Sequence, residues 1–329
     1  MAIPQLVMTL GDLSGIGPEL AMKLCAVEDN RRKAKIKLIA TKEEVTKYSE
    51  EVGLSFPVSY DAEEASIQLI EPDMPNCEVA VGVPSLAGGQ RVRTDLLKAL
   101  AIFKEGGCDS IIFMPLNKTA LHDAGMHEDD ELRWFAKELE FDGFTSELNF
   151  IPGLTTSRVT SHIGIKDVAA RISAKGVYDA TVLLNRTIQG IGVAKPRIGV
   201  CALNPHAGEN GQFGREEIDH IEPGVRLAQH DGIDVSGPYP SDTMFVRAKK
   251  GGFDGVVTMY HDQGQIALKT MGFESGVTVQ GGLPVPICTP AHGTAYEIVG
   301  QNKASLGPSQ RAFDIAVDLG KHNQEAHTE

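Results

Sequence analysis

Short apolar runs alternate with amphipathic helical stretches along most of this 329-residue chain, and that alternation restricts the fold more than any other feature. Leu6-Val-Met-Thr9, Ile36-Lys-Leu-Ile-Ala40, Ser110-Ile-Ile-Phe-Met114, Pro196-Arg-Ile-Gly-Val-Cys-Ala-Leu203 and Gly255-Val-Val-Thr-Met259 read as strands, mostly apolar and rich in branched residues. Two more are predicted near Glu78-Val-Ala-Val81 and Leu148-Asn-Phe-Ile151. Helical patterns fall between them: from Thr41, with Glu44 placed for a capping box, through Thr94 to Phe103, Leu132 to Leu139 and Val177 to Gly190, near 240–250, and from Pro308. Such alternation predicts an α/β protein with open, mostly parallel sheets. Ligands of these sheets sit outside the carboxyl ends of the strands, so the residues just past each strand are the ones to search.

Gly255–Met259 runs into Tyr260-His-Asp-Gln-Gly-Gln-Ile-Ala-Leu-Lys269. There His261 and Asp262 could bind a metal or move a proton, and Lys269 could hold an anion; a merely polar surface loop is the plainer alternative. Asn117 and Lys118 follow the strand at Ser110, His162 follows Val159-Thr-Ser161, and His206 lies in Asn204-Pro-His-Ala-Gly-Glu209. One histidine past a strand is usually an ordinary loop residue. Three of them, His162, His206 and His261, would converge if their strands are neighbours, and imidazole is the commonest protein metal ligand. Three nitrogens would leave positions open for substrate, as a catalytic metal site does. Near the start, Gly11-Asp-Leu-Ser-Gly-Ile-Gly-Pro-Glu19 forms a glycine-rich turn with Pro18 suited to a first helical turn. Free amides at such a helix start attract anions, although a plain strand-turn-helix accounts for the same glycines.

Composition narrows the partners. The net charge of −13 is spread along the chain, with no basic stripe for nucleic acid or a membrane surface. The five cysteines are scattered without a Cys-x-x-Cys pair, which predicts reduced thiols in cytoplasm, with no disulfide scaffold or structural zinc. No apolar run nears the ~18 residues that span a bilayer, and no secretory leader opens the sequence. A cytoplasmic protein is expected.

Met8-Thr-Leu-Gly-Asp-Leu-Ser-Gly-Ile-Gly-Pro-Glu19, Ser161-His-Ile-Gly-Ile-Lys-Asp-Val168, Leu203-Asn-Pro-His-Ala-Gly-Glu209 with Phe213-Gly-Arg-Glu-Glu217, Met259-Tyr-His-Asp-Gln-Gly264 and His292-Gly-Thr-Ala295 occur in this order across nearly the whole chain. Together they resemble the signatures of the 4-hydroxythreonine-4-phosphate dehydrogenase family. The resemblance implies a two-domain fold like that of isocitrate and isopropylmalate dehydrogenases, with an active-site cleft between the domains. Residues 1–130 plus 270–329 would form the first domain and 131–269 the second. It also implies a homodimer with its site near the subunit interface. His162, His206 and His261 then become ligands of one divalent metal (Zn, Mg, Co or Mn). NAD or NADP becomes the hydride acceptor, over the loop His292, Gly293, Thr294 and Ala295, with Gly281 and Gly282 letting the backbone approach. Lys118, Asp242, Asp262 and Lys269 stand as candidates for proton transfer and anion holding, and Asp12 for substrate contact. The implied reaction oxidises a hydroxy acid to a 3-oxo acid, which can then lose carbon dioxide.

The departures fall on the substrate side. Members handling hydroxythreonine phosphate carry Gly-His-Thr-Glu before the helix of Trp134; this chain has Asp130-Glu-Leu-Arg133. Glu131 replaces a phosphate-gripping histidine, and a carboxylate repels a phosphate dianion. Arg133, one step along, could restore positive charge. Thr278 stands for a substrate-binding asparagine, and Ile287 aligns with an arginine, whose guanidinium is not conservatively lost. Leu10 and Leu13 replace prolines, and Ala291 an aspartate. Three readings follow: a dehydrogenase of 4-hydroxythreonine 4-phosphate, a branch acting on a sugar-acid phosphate or a carboxylated cis-dihydrodiol, or a non-catalytic binding homologue.

Overall fold

The computed structural model describes residues 3–61, 67–272 and 275–326. In chain order its strands are β1 (Gln5–Thr9), β2 (Lys35–Ile39), β3 (Ile67–Ile70), β4 (Ser110–Phe113), β5 (Ser146–Ile151), β6 (Leu154–Arg158), β7 (Ile198–Cys201), β8 (Val235–Tyr239), β9 (Gly255–Thr258), β10 (Val277–Gly281) and β11 (Ile287–Pro290). Helices separate most of them, giving the expected α/β architecture with mostly parallel pairing. The chain divides into two compact units, Met1–Phe141 with Leu283–Glu329, and Asp142–Gly282. Among the described residues no helix is long and apolar enough to cross a membrane.

In the first unit the strand order is β3-β2-β1-β4-β11, every pair parallel. Its core packs Val7, Ile111, Phe113 and Ile287 against Leu96, Leu100 and the aromatic pair Trp134–Phe135. Ile287, the position aligned with an arginine, is therefore an interior sheet residue with no surface to offer an anion. The expected strand at 78–81 is irregular chain with Val81 exposed; the third strand is β3, whose Ile67 and Leu69 reach the core. The capping box forms as predicted, Thr41 and Glu44 satisfying each other's backbone N–H.

The helix Leu86–Lys104 starts before the predicted stretch, capped by Ser85 and carrying Gly88 and Gly89 in its first turn. A Cβ at Gly89 would lie 1.9 Å from the Ala120 carbonyl oxygen. Alanine there would gain about 1 kcal/mol of helix propensity. The backbone clash outweighs it, so Gly89→Ala is expected to lower stability by about 1–3 kcal/mol in urea titration. Unchanged or raised stability would show that this helix and the short helix Lys118–Asp123, which carries Ala120, separate freely.

The second unit orders its strands β10-β5-β6-β9-β7-β8, antiparallel across β10, β5 and β6 and parallel from β6 onward. β6 escaped the sequence pattern because Leu154-Thr-Thr-Ser-Arg158 is mostly polar, yet all five residues are buried. Two of its polar side chains have partners inside: Ser157 Oγ donates to the Ala180 carbonyl, and Arg158 pairs with Glu147. Met244, Phe253, Val256 and Leu268 form the core beneath β7 and β9.

Candidate active site

Four adjacent parallel strands, β6, β9, β7 and β8, end side by side in the second unit. Each leads directly into one of the segments picked out from sequence. β6 leads to His162, β9 to His261 and Asp262, β7 to the His206 loop, and β8 to Asp242. Thr160, past β6, ties its hydroxyl to the Met259 carbonyl at 2.7 Å, holding the ends of β6 and β9 together.

The rings of His162 and His261 lie 5.4 Å apart, centre to centre. Two imidazoles on one tetrahedral ion, with metal–nitrogen bonds of about 2.0–2.1 Å, place their ring centres roughly 5 Å apart, so this spacing fits a shared ion. Asp262 Oδ1 lies 2.7 Å from His261 Nδ1. A carboxylate accepting from one ring nitrogen orients the imidazole and leaves the lone pair of the other nitrogen to bind an ion. A cavity of about 200 Å³ opens between Thr160, Ser161, His162, Tyr260, His261 and Asp262. Ser161 Oγ is buried with no hydrogen-bond partner among the described residues. Imidazole, carboxylate and hydroxyl donors suit a divalent first-row ion. Within the described residues, however, no three His, Cys, Asp or Glu groups stand close enough together to hold an ion alone.

His206 is set apart from that pair, its ring tilted against Phe213 at 6.4 Å. His206, Ala207, Gly208, Glu209 and Asn210 all have positive φ, between 43° and 79°. For residues with a Cβ this left-handed conformation costs roughly 1–2 kcal/mol each, so a specific anchor has to hold it. That anchor is Glu217, 2 % exposed. Its Oε1 accepts from the Leu203 and Asn204 amides at 2.8 Å, and its Oε2 from Asn204 Nδ2 at 3.0 Å. Sequence reasoning gave Glu217 no role, though it lies within a quoted motif.

Lys269 lies two turns beyond His261 on the helix His261–Gly272. Between them Gln265 donates to Asn149 Oδ1, and Asn149 Nδ2 donates to Thr278 Oγ1, so Thr278 is bound into a side-chain network. Gly281 and Gly282 pack closely on their neighbours. Added Cβ atoms would lie 2.7 Å from the Ser146 oxygen and 2.2 Å from that of Phe144. Local packing thus suffices to require both glycines.

In the first unit, the His292–Ala295 loop packs on the glycine-rich turn, where the Ile16 amide donates to the Thr294 carbonyl at 3.0 Å. Asp12 is buried, with Oδ1 accepting from the Ser14 amide and Oδ2 from the Tyr296 hydroxyl at 2.5 Å. Burial, reinforced by Asp12, pushes the Tyr296 hydroxyl far above its ordinary value, so it remains a donor. Tyr296 was not predicted; its partner lies 284 residues away. Burial holds His292 below the usual imidazole range, which keeps it neutral at pH 7.

A cavity of about 360 Å³ in the same unit is lined by Lys118, His122, Glu128, Asp129, Asp130 and Glu131, among others. Lys118 Nζ stands 3.3 Å from the buried Glu131 carboxylate. Arg133 lies 3.8 Å from Asp129, so its charge is partly answered there. Asp130 caps the helix Glu131–Glu138 through the Arg133 amide.

Parallel strands that deliver histidines and carboxylates at their carboxyl ends form the usual small-molecule site of an open α/β sheet. Residues 19–316 match the family model described as pyridoxal phosphate biosynthetic protein PdxA, and the chain belongs to that family. A Pseudomonas aeruginosa protein with the provisional name 4-hydroxythreonine-4-phosphate dehydrogenase 2 is 47 % identical over 336 residues, covering 98 % of both chains. D-threonate 4-phosphate dehydrogenase of Cupriavidus necator is 36 % identical, covering 92 % of this chain and 93 % of that one. The crystal structure of a 4-hydroxythreonine-4-phosphate dehydrogenase from Burkholderia phymatum superimposes with a TM-score of 0.80 at 34 % identity, covering 97 % of this chain and 99 % of that one.

Proposed function

We propose that this chain is a metal-dependent, NAD- or NADP-linked dehydrogenase of a small phosphorylated hydroxy acid. The observation that carries the reading is the set of four neighbouring strand ends that present His162, His261, the His206 loop and Asp242. His162 and His261 would hold a divalent ion, which would polarise the substrate hydroxyl and its neighbouring oxygen, and His206 would become a third ligand only through a shift of its loop toward that pair. Amides of the His292–Ala295 loop would hold the phosphates of a nicotinamide cofactor, which would supply the hydride acceptor. Asp262 orients His261. Asp242 or Asp262 would take the hydroxyl proton, and Lys269 would attract the substrate's anionic end. Oxidation of a hydroxyl on the carbon β to a carboxylate would give a 3-oxo acid able to lose carbon dioxide.

Ile163, Ile165, Phe213 and Ile266 expose large apolar surfaces on the same loops and helix as the three histidines. Exposed apolar residues so placed support a second subunit covering the site, as in a homodimer. The acidic cavity at Glu131 supports a second reading, a branch whose substrate carries no phosphate, because Glu128, Asp129 and Glu131 oppose a dianion.

The test is NAD(P)H formation with added Mn²⁺ or Co²⁺ on 4-phosphohydroxy-L-threonine, D-threonate 4-phosphate, erythronate 4-phosphate and a carboxylated cis-dihydrodiol. Turnover of a phosphorylated acid, lost on chelation, is expected. Turnover of the dihydrodiol alone would establish the second reading. No reduction on any of them, in a chain that still binds metal, would make it a binding homologue.

A further inference from the structure

Three of the four strand ends at the candidate site meet on a single side chain, Gln263. Its Oε1 accepts from the Met259 amide at 2.7 Å, at the end of β9 and two residues before His261. Its Nε2 donates to the Ala202 carbonyl at 2.8 Å, where β7 gives way to the His206 loop. The same nitrogen donates to Ser241 Oγ at 2.7 Å, next to Asp242 past β8, and Ser241 Oγ in turn donates to the Ala202 carbonyl at 2.9 Å. One carboxamide therefore satisfies a donor on one strand end and acceptors on two others. Only a group with both a carbonyl and an NH₂ can do this without a rotamer change.

We infer that Gln263 is a positioning residue that sets the His206 loop, the His261 turn and Asp242 in register with one another. The inference rests on the dehydrogenase reading for its catalytic meaning, but not for the contacts themselves. The His206 loop gives the role its force. That loop is held at one end by Glu217 on Leu203 and Asn204, and the residue just before them, Ala202, is the one Gln263 holds. Without the second anchor the strained turn keeps its shape but loses its place relative to His261. In Gln263→Glu the Met259 contact survives, because a carboxylate still accepts. Both donated bonds are lost, and a negative oxygen is set against the Ala202 carbonyl.

Hydrogen–deuterium exchange and Co²⁺ titration on the full-length chain test this together. In Gln263→Glu, exchange is expected to rise roughly tenfold in residues 203–211 and in 240–243, segments distant in sequence from the substitution. Co²⁺ affinity is expected to fall about 10–100-fold, the usual cost of losing a group that orients metal ligands. Faster exchange confined to residues 259–266, or Co²⁺ affinity equal to the wild type's, overturns the inference. Should Gln263→Glu fail to fold, Ser241→Ala is read by the same two criteria, since it removes one acceptor of Gln263 and one donor to Ala202. A wild-type chain that takes up no Co²⁺ overturns the metal reading instead; the exchange pattern alone then decides the role of Gln263.

Discussion

Arg91→Ala is expected to destabilise the first unit by about 3–5 kcal/mol, the cost of stranding a buried charge. Arg91 is wholly buried in the helix Leu86–Lys104. Its Nε donates to both oxygens of Asp95, at 3.0 and 2.8 Å, and its two terminal nitrogens reach the two oxygens of Glu44, at 2.6 and 3.0 Å. It also donates to the Met74 carbonyl. The guanidinium therefore ties three segments together and neutralises Asp95, which is 1 % exposed. Burial pushes the Asp95 carboxyl up, while Arg91 pulls it back. With Arg91 gone only the upward push remains. The folded variant then keeps a proton that the unfolded chain releases near pH 4. The folded state binding more protons means that stability falls as pH rises, by up to about 1.4 kcal/mol per unit above that point. Urea titrations at pH 5 and pH 8 should show the variant weaker at pH 8. A loss below 1 kcal/mol with no pH dependence would mean that water reaches Asp95. Arg91→Met combined with Asp95→Leu should recover much of the loss, because the pair contributes less than its breakage costs.

Most of the fold was legible because its strands are apolar and its helices capped by rule. β4, β7 and β9 were readable as branched apolar runs, and Thr41 with Glu44 announced a helix start. β6 was not, since burying Thr155, Thr156, Ser157 and Arg158 depends on partners such as Ala180 and Glu147 that no local pattern reveals. The strand expected at 78–81 fails for the converse reason: Val-Ala-Val alternation pairs with no strand among the described residues, and Val81 faces outward. At the site, sequence singled out residues able to carry chemistry, because histidine and aspartate just past a strand stand out by type. It passed over Gln263, Ser241, Glu217 and Tyr296, whose importance lies in the bonds they make. Each sits within or close to a recognised segment, but only the juxtaposition of β7, β8 and β9 gives Gln263 something to join. Asp12, named for substrate contact under the resemblance, has both of its oxygens engaged inside the first unit.

His261→Ala is expected to lower kcat by about 10³-fold or more, since a metal's charge stabilisation amounts to several kcal/mol and each 1.36 kcal/mol is tenfold. Chelation of the wild type should reproduce the loss, and added Mn²⁺ should restore the wild type but not the variant. His162→Ala should behave alike, because its ring stands within 5.4 Å of His261, centre to centre. KM for the nicotinamide cofactor should stay near its wild-type value, as the His292–Ala295 loop proposed to hold it belongs to the other unit. Asp262→Asn separates two roles. If Asp262 only orients His261 through the 2.7 Å contact at Nδ1, the amide oxygen still accepts there, and the loss should stay within about 10–100-fold with weakened metal binding. If Asp262 takes the substrate proton itself, the amide removes the base. The loss then matches that of His261→Ala while metal affinity stays unchanged. Near wild-type turnover in both His261→Ala and His162→Ala would remove the strand-end cavity from the reaction altogether. The acidic cavity at Glu131 and Lys118 would then be the place to seek it.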